Sequence, residues 1–124
     1  MWLFTRYGFL SVVCAKDDKG ASLIDLLMVR ARTQHHLRNL QIAFPELTGK
    51  IHETMNTDYQ FRIMVPKRVW QSVMAQLVDE QEWSNFKEEA GRFSKYRDKE
   101  YLDVLHEVWG IVAQLQHPVK KLRR

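Results

Sequence analysis

Two segments of the chain alternate apolar and polar positions with a period of two and carry arginine on the polar side. In Leu26-Leu27-Met28-Val29-Arg30-Ala31-Arg32, the side chains of Leu27, Val29 and Ala31 fall on one face and those of Met28, Arg30 and Arg32 on the other. In Tyr59-Gln60-Phe61-Arg62-Ile63-Met64-Val65, the pattern places Tyr59, Phe61, Ile63 and Val65 on one face and Gln60, Arg62 and Met64 on the other. Each reads as a half-buried β-strand. If the two pair in register, Arg30, Arg32 and Arg62 share one face of a sheet. Three long cations there either meet an anion or are neutralised by the protein's own carboxylates.

The remaining pattern supplies the other elements. Met1–Thr5 and Phe9–Cys14 read as two strands of an N-terminal hairpin, turned at Arg6-Tyr7-Gly8. Lys16–Gly20 is a polar loop. Thr33 is the expected N-cap of a first helix, with Leu37, Leu40 and Phe44 at helical spacing, stopped by Pro45. Residues 51–54 form a weak strand candidate. Pro66 suits the first turn of a second helix, whose stripe is Val69, Trp70, Val73, Met74 and Leu77. Ser84 is the expected cap of a third helix through Phe93. The last helix is expected from about Arg97 to Gln116, with Tyr101, Leu102, Leu105, Val108, Trp109, Val112 and Leu115 as its apolar face. The order β-β-β-α-β-β-α-α-α predicts an α+β domain, a mostly antiparallel sheet of four to five strands with helices packed on it. It is expected to span residues 1–116, with a basic, fraying tail at 117–124.

Composition is that of a globular protein: 45% apolar residues in 124, with five Gly and three Pro. The net charge of +4 is unevenly distributed. Residues 1–65 hold eight Lys/Arg and six Asp/Glu, whereas residues 66–116 hold seven and nine. The excess sits in Lys120, Lys121, Arg123 and Arg124. The folded part is nearly neutral, so the basic character is a weak argument for nucleic acid. The acidic balance of 66–116 favours carboxylate partners for the sheet arginines from the last helices. No run of about 18 apolar residues is present, so no membrane span is expected. The N-terminus lacks signal-peptide character, and the expected location is the cytoplasm.

Candidate chemistry is sparse. Cys14 is the single cysteine and sits in an apolar run, where it reads as a small hydrophobe. His35 and His36 are adjacent and point about 100° apart on a helix, so they read as surface residues and not as a chelating pair. His52, His106 and His117 are scattered, and no metal or other cofactor is expected. Asp79, Glu80 and Glu82 read as a solvated helix end. Asp58 reads as a turn residue bonding to backbone. No phosphate-cradling glycine loop or nucleophile elbow occurs, so catalysis has no motif behind it.

The segments Met1-Trp2-Leu3-Phe4-Thr5 with Gly8-Phe9 and Ser11-Val12-Val13, Met28-Val29-Arg30-Ala31-Arg32, Thr57-Asp58-Tyr59 with Arg62, Trp70, Asn85-Phe86-Lys87 and His106-Glu107-Val108-Trp109 resemble a family of small uncharacterised bacterial proteins. The resemblance covers nearly the whole chain except the tail. It implies a bacterial or mobile-element origin and a compact domain, and carries no activity with it.

The expected function is a non-catalytic binding module, adaptor- or inhibitor-like. It docks on a protein or anionic partner through Arg30, Arg32 and Arg62, with Trp2 adding stacking if it shares their face. The alternative is a nucleic-acid-binding protein using the same arginines with Lys120, Lys121, Arg123 and Arg124. An enzyme with a site assembled from distant residues is the third reading. The sequence does not set the oligomeric state.

Overall fold

The structure, a computed structural model, describes residues 1–94 and 98–116. The chain divides into two compact units, Met1–Trp83 and Ser84–Arg124. In the first unit the strands are β1 (Trp2–Thr5), β2 (Gly8–Lys16), β3 (Ser22–Ala31), β4 (His52–Glu53) and β5 (Phe61–Pro66), with helices α1 (Gln34–Ala43) and α2 (Lys67–Asp79). The second unit holds α3 (Phe86–Ser94), α4 (Lys99–Ala113) and a closing 3₁₀ turn, Gln114–Gln116. The fold is α+β, in the predicted element order, with one five-stranded antiparallel sheet ordered β1-β2-β3-β5-β4.

The register explains why the sheet has two unlike faces. Val12, Val29 and Ile63 are aligned across β2, β3 and β5, and Leu27 is aligned with Val65. These side chains are buried with Leu10 and Ala31, and α1 and α2 close over them. From α1 come Leu37 and Leu40; from the segment after it, Phe44 and Leu47; from α2, Trp70 and Val73. Burying so many branched and aromatic side chains stabilises the unit by roughly 1.5–3 kcal/mol for each before entropy is subtracted.

The loops are held by local bonds. The Gln41 amide donates to the carbonyls of Leu47 and Gly49, at 3.0 and 2.6 Å, which fixes the chain after α1. The Glu46 carboxylate accepts from the Gln76 amide and from Ser72, tying that loop to α2. A bond from its own backbone, together with those from Gln76 and Ser72, holds the Glu46 carboxyl below the ordinary glutamate range.

At the β1–β2 turn, Gly8 has φ +148°, and a Cβ there would sit 2.2 Å from Cγ of His36. Glycine is therefore required for two reasons, conformation and space. His36 is buried at 6% exposure, and its Nδ1 accepts from the Phe9 N–H at 3.3 Å. This corrects its reading as a surface residue: α1 turns it inward because only a glycine stands opposite. The same turn is joined to the end of α2. The Tyr7 hydroxyl donates to both Glu80 oxygens at 2.9 Å, and the Arg6 guanidinium lies 3.4 Å from Glu80. Glu80 is thus a paired group and not part of a solvated run.

Boundaries differ from the expected ones for local reasons. Strand β3 begins at Ser22, because the Asp17 carboxylate accepts from the N–H groups of Lys19 and Ala21 and shortens the loop to a tight turn. Pro66 ends β5 and stands just before α2 rather than inside it. Asn85, and not Ser84, caps α3, its side-chain oxygen accepting from the Glu88 N–H at 3.0 Å. Asp98 caps α4 through the Tyr101 N–H, also at 3.0 Å. The expected start of that helix at Arg97 and the tail residues Lys120, Lys121, Arg123 and Arg124 lie outside the described residues. Only part of the expected α4 stripe is buried. Tyr101 and Leu105 are buried, whereas Trp109, Val112 and Leu115 are exposed, and Lys87 lies over the Trp109 ring at 4.9 Å.

Candidate functional site

The face of the sheet opposite α1 and α2 carries the arginines. Pairing across all five strands builds a single transverse row. Trp2 is aligned with Ser11, Ser11 with Arg30, Arg30 with Arg62, and Arg62 with His52. Directly aligned residues in an antiparallel sheet project to the same side. At about 4.8 Å per strand the row spans roughly 19 Å. Arg30 and Arg62 are opposite one another on neighbouring strands, the arrangement the sequence pattern requires. Arg32 follows the end of β3 and is exposed.

The three guanidiniums are held by neutral groups. Arg30 Nη2 donates to Ser11 Oγ at 2.7 Å, and its Nε to the Ser11 carbonyl at 3.5 Å. Ser11, at 1% exposure, is buried beneath it. Arg32 donates to the Asp58 carbonyl at 2.8 Å. Arg62 donates to the Tyr59 carbonyl at 3.2 Å and to Thr57 Oγ1 at 3.4 Å. Its Nε–H is buried, with no acceptor among the described residues. Among the described residues of the first unit, no carboxylate oxygen lies within 4.0 Å of any of the three. Two cations placed directly opposite on one face cost the sheet about 0.2–1 kcal/mol, and no carboxylate among the described residues of the first unit offsets it.

Tyr59 was expected to face the core. It precedes the first paired residue of β5, so the alternation does not govern it, and its ring lies on the arginine face. The guanidinium carbons of Arg30 and Arg32 are 4.5 and 4.6 Å from the ring centroid. Stacking of this kind keeps both cations flat against the sheet. Tyr59 is buried at 7% exposure, and Phe9 approaches it at 6.4 Å. Asp58 contributes its carbonyl to Arg32. The side-chain bonds of that turn come instead from Thr57, whose hydroxyl donates to the carbonyls of Thr54 and Tyr59.

The β1–β2 end of the same face is aromatic. Phe4 and Phe9 are register partners, stacked with centroids 4.6 Å apart. Trp2 meets Phe9 edge-on at 5.8 Å and is 69% exposed. Trp2 therefore does share the arginines' face. The sequence reading missed Tyr59, Phe9 and Ser11 as members of this surface. The period-two pattern of β2 held a signal for the latter two, since Phe9, Ser11 and Val13 alternate with Leu10 and Val12.

The second unit has a hollow between α3 and α4, lined by Asn85, Lys87, Glu88, Leu102, Leu105 and His106. In the same unit, Glu89 on α3 is buried and accepts from the Arg92 guanidinium at 2.6 Å. No helix among the described residues is long and apolar enough to cross a membrane. Comparison with family models, curated proteins and solved structures gave no match, so the reading of function rests on the geometry of the arginine face.

Proposed function

We propose that this chain is a non-catalytic binding module that docks on an anionic macromolecular partner through the row Trp2, Ser11, Arg30, Arg62 and the neighbouring Arg32. One observation carries the reading: Arg30 and Arg62 stand opposite each other and, with Arg32, bond only to neutral acceptors among the described residues. Their positions are fixed while their charge is not compensated by the described residues of the first unit. A guanidinium pre-oriented in this way loses little entropy on meeting a carboxylate or phosphate, and it offers two parallel donors. Arg and Trp are also the residue types that anchor protein interfaces.

The test is salt elution of the full chain from an anionic matrix. Arg30→Gln with Arg62→Gln is compared with Lys16→Gln and Lys19→Gln, exposed lysines of the same total charge. The arginine pair is expected to lower the eluting salt concentration well beyond the lysine pair. Equal shifts for both pairs would show only net charge at work and would refute a docking face.

A further inference from the structure

We infer that the partner of this face is single-stranded nucleic acid, lying across the strands with bases stacked on Trp2 and Phe4 and phosphates on Arg30, Arg62 and Arg32. The inference rests on the docking reading above and narrows it.

The row is divided chemically along its length. Its β1–β2 part offers π surface: the exposed Trp2 ring, and the Phe4–Phe9 stack at 4.6 Å beside it. Its β3–β5 part offers guanidiniums without carboxylates. The two parts are adjacent strands of one sheet, so a ligand lying across the strands meets both. Such a ligand must present flat aromatic faces and anionic oxygens from one flexible chain. A single strand does this at every residue. A duplex offers its phosphates but keeps its base faces stacked inside. An acidic peptide offers carboxylates without a regular supply of rings. Charge complementarity therefore calls for an anion, and the aromatic half of the row selects the single strand among anions.

The absence of a strongly basic body is consistent with this assignment. The fifteen Lys/Arg of residues 1–116 are matched by fifteen Asp/Glu, and the row itself carries no Lys or Arg besides Arg30 and Arg62, so phosphate contacts beyond these and Arg32 are expected to be few and the dependence on salt correspondingly shallow. About 0.7 counterions are released per phosphate contacted on a single strand, which gives a slope near −2 for three arginines.

The experiment is fluorescence anisotropy of the full chain with a labelled oligothymidylate of about 15 nucleotides, within the usual footprint of a single-strand binding fold. A variant with Lys120, Lys121, Arg123 and Arg124 all changed to Ala removes the tail's contribution. That variant is expected to keep binding, with log K falling against log salt at a slope of about −2. Trp2→Ala in the same background is expected to weaken binding on the order of tenfold, the usual effect of losing one stacked base. It should also remove the tryptophan quench on binding and leave the melting temperature unchanged, because Trp2 is mostly exposed. Arg30→Gln with Arg62→Gln should abolish binding at moderate salt.

Poly-glutamate and a duplex of equal length serve as competitors and should displace the strand poorly. If poly-glutamate binds with the same dependence on Arg30 and Arg62 while the oligonucleotide does not, the docking reading stands and the nucleic-acid inference falls. If Trp2→Ala leaves oligonucleotide affinity unchanged, the stacking falls, and with it the assignment to single strands. If neither polymer binds in an arginine-dependent way, both readings fall.

Discussion

Replacing Gly8 by Ala tests how the β1–β2 turn is locked against α1. The added Cβ would lie 2.2 Å from Cγ of His36, and 2.5 Å from its Cβ and Cδ2. None of these atoms is the free end of a flexible chain, so the ring must move. Moving it breaks the bond from the Phe9 N–H to Nδ1, at about 1 kcal/mol. Holding a non-glycine residue at φ +148° adds about 1–3 kcal/mol of backbone strain. The expected loss is thus about 2–4 kcal/mol. For a unit the size of Met1–Trp83, that lowers the melting temperature by roughly 10–25 °C. Urea unfolding followed by circular dichroism measures it. Adding His36→Gly removes all three crowding atoms and leaves the backbone strain, so the double variant should be less destabilised than the sum of the singles. A loss below about 1 kcal/mol for Gly8→Ala, or simple additivity in the double variant, would refute this account of the turn.

Two further predictions concern tyrosines. Tyr7→Phe removes the hydroxyl that donates to both Glu80 oxygens and leaves Glu80 with Arg6. The expected cost in urea unfolding is about 1–2 kcal/mol, because the bond is charge-assisted but its partners keep some solvent contact. Alkaline pH should also destabilise the protein. Burial raises the Tyr101 phenol well above its usual range, with the negative charge of Asp98 adding to the effect, and burial raises Tyr7 as well. A raised folded-state pKa means that the stabilisation is complete below about pH 10 and is lost as pH rises, at up to about 1.4 kcal/mol per pH unit for Tyr101. The urea midpoint should therefore fall as the pH rises from about 9 to about 11, the window that brackets a free phenol, and Tyr101→Phe should flatten that fall.

The strands were legible because their alternation was long and clean. Leu27 to Arg32 and Phe61 to Val65 gave the pairing face directly, and the observed alignment of Arg30 with Arg62 follows from it. Other features depend on groups distant in sequence. His36 looks like a surface residue until Gly8 is brought beside it by the fold. Tyr59 looks like a core residue because the pattern runs through it, although the ladder starts only at Phe61. Glu80 reads as part of an acidic run until Tyr7, far away in the chain, is placed against it. The apolar stripe of α4 predicts burial along the whole helix, yet Trp109, Val112 and Leu115 are exposed. Periodicity indicates which side of a helix is apolar, but not how much of its length is covered.

The arginines' own resonances report most directly on whether the face docks an anion. Arginine Nε–H signals in a ¹⁵N–¹H spectrum, assigned by single Arg→Lys variants, can be followed as oligothymidylate or poly-glutamate is added. The Nε–H of Arg62, buried with no acceptor among the described residues, is one of them. Saturable shifts at Arg30, Arg32 and Arg62, with the Trp2 indole moving in parallel, are the predicted result. Shifts confined to Arg123 and Arg124, or no saturable shift at all, would contradict it.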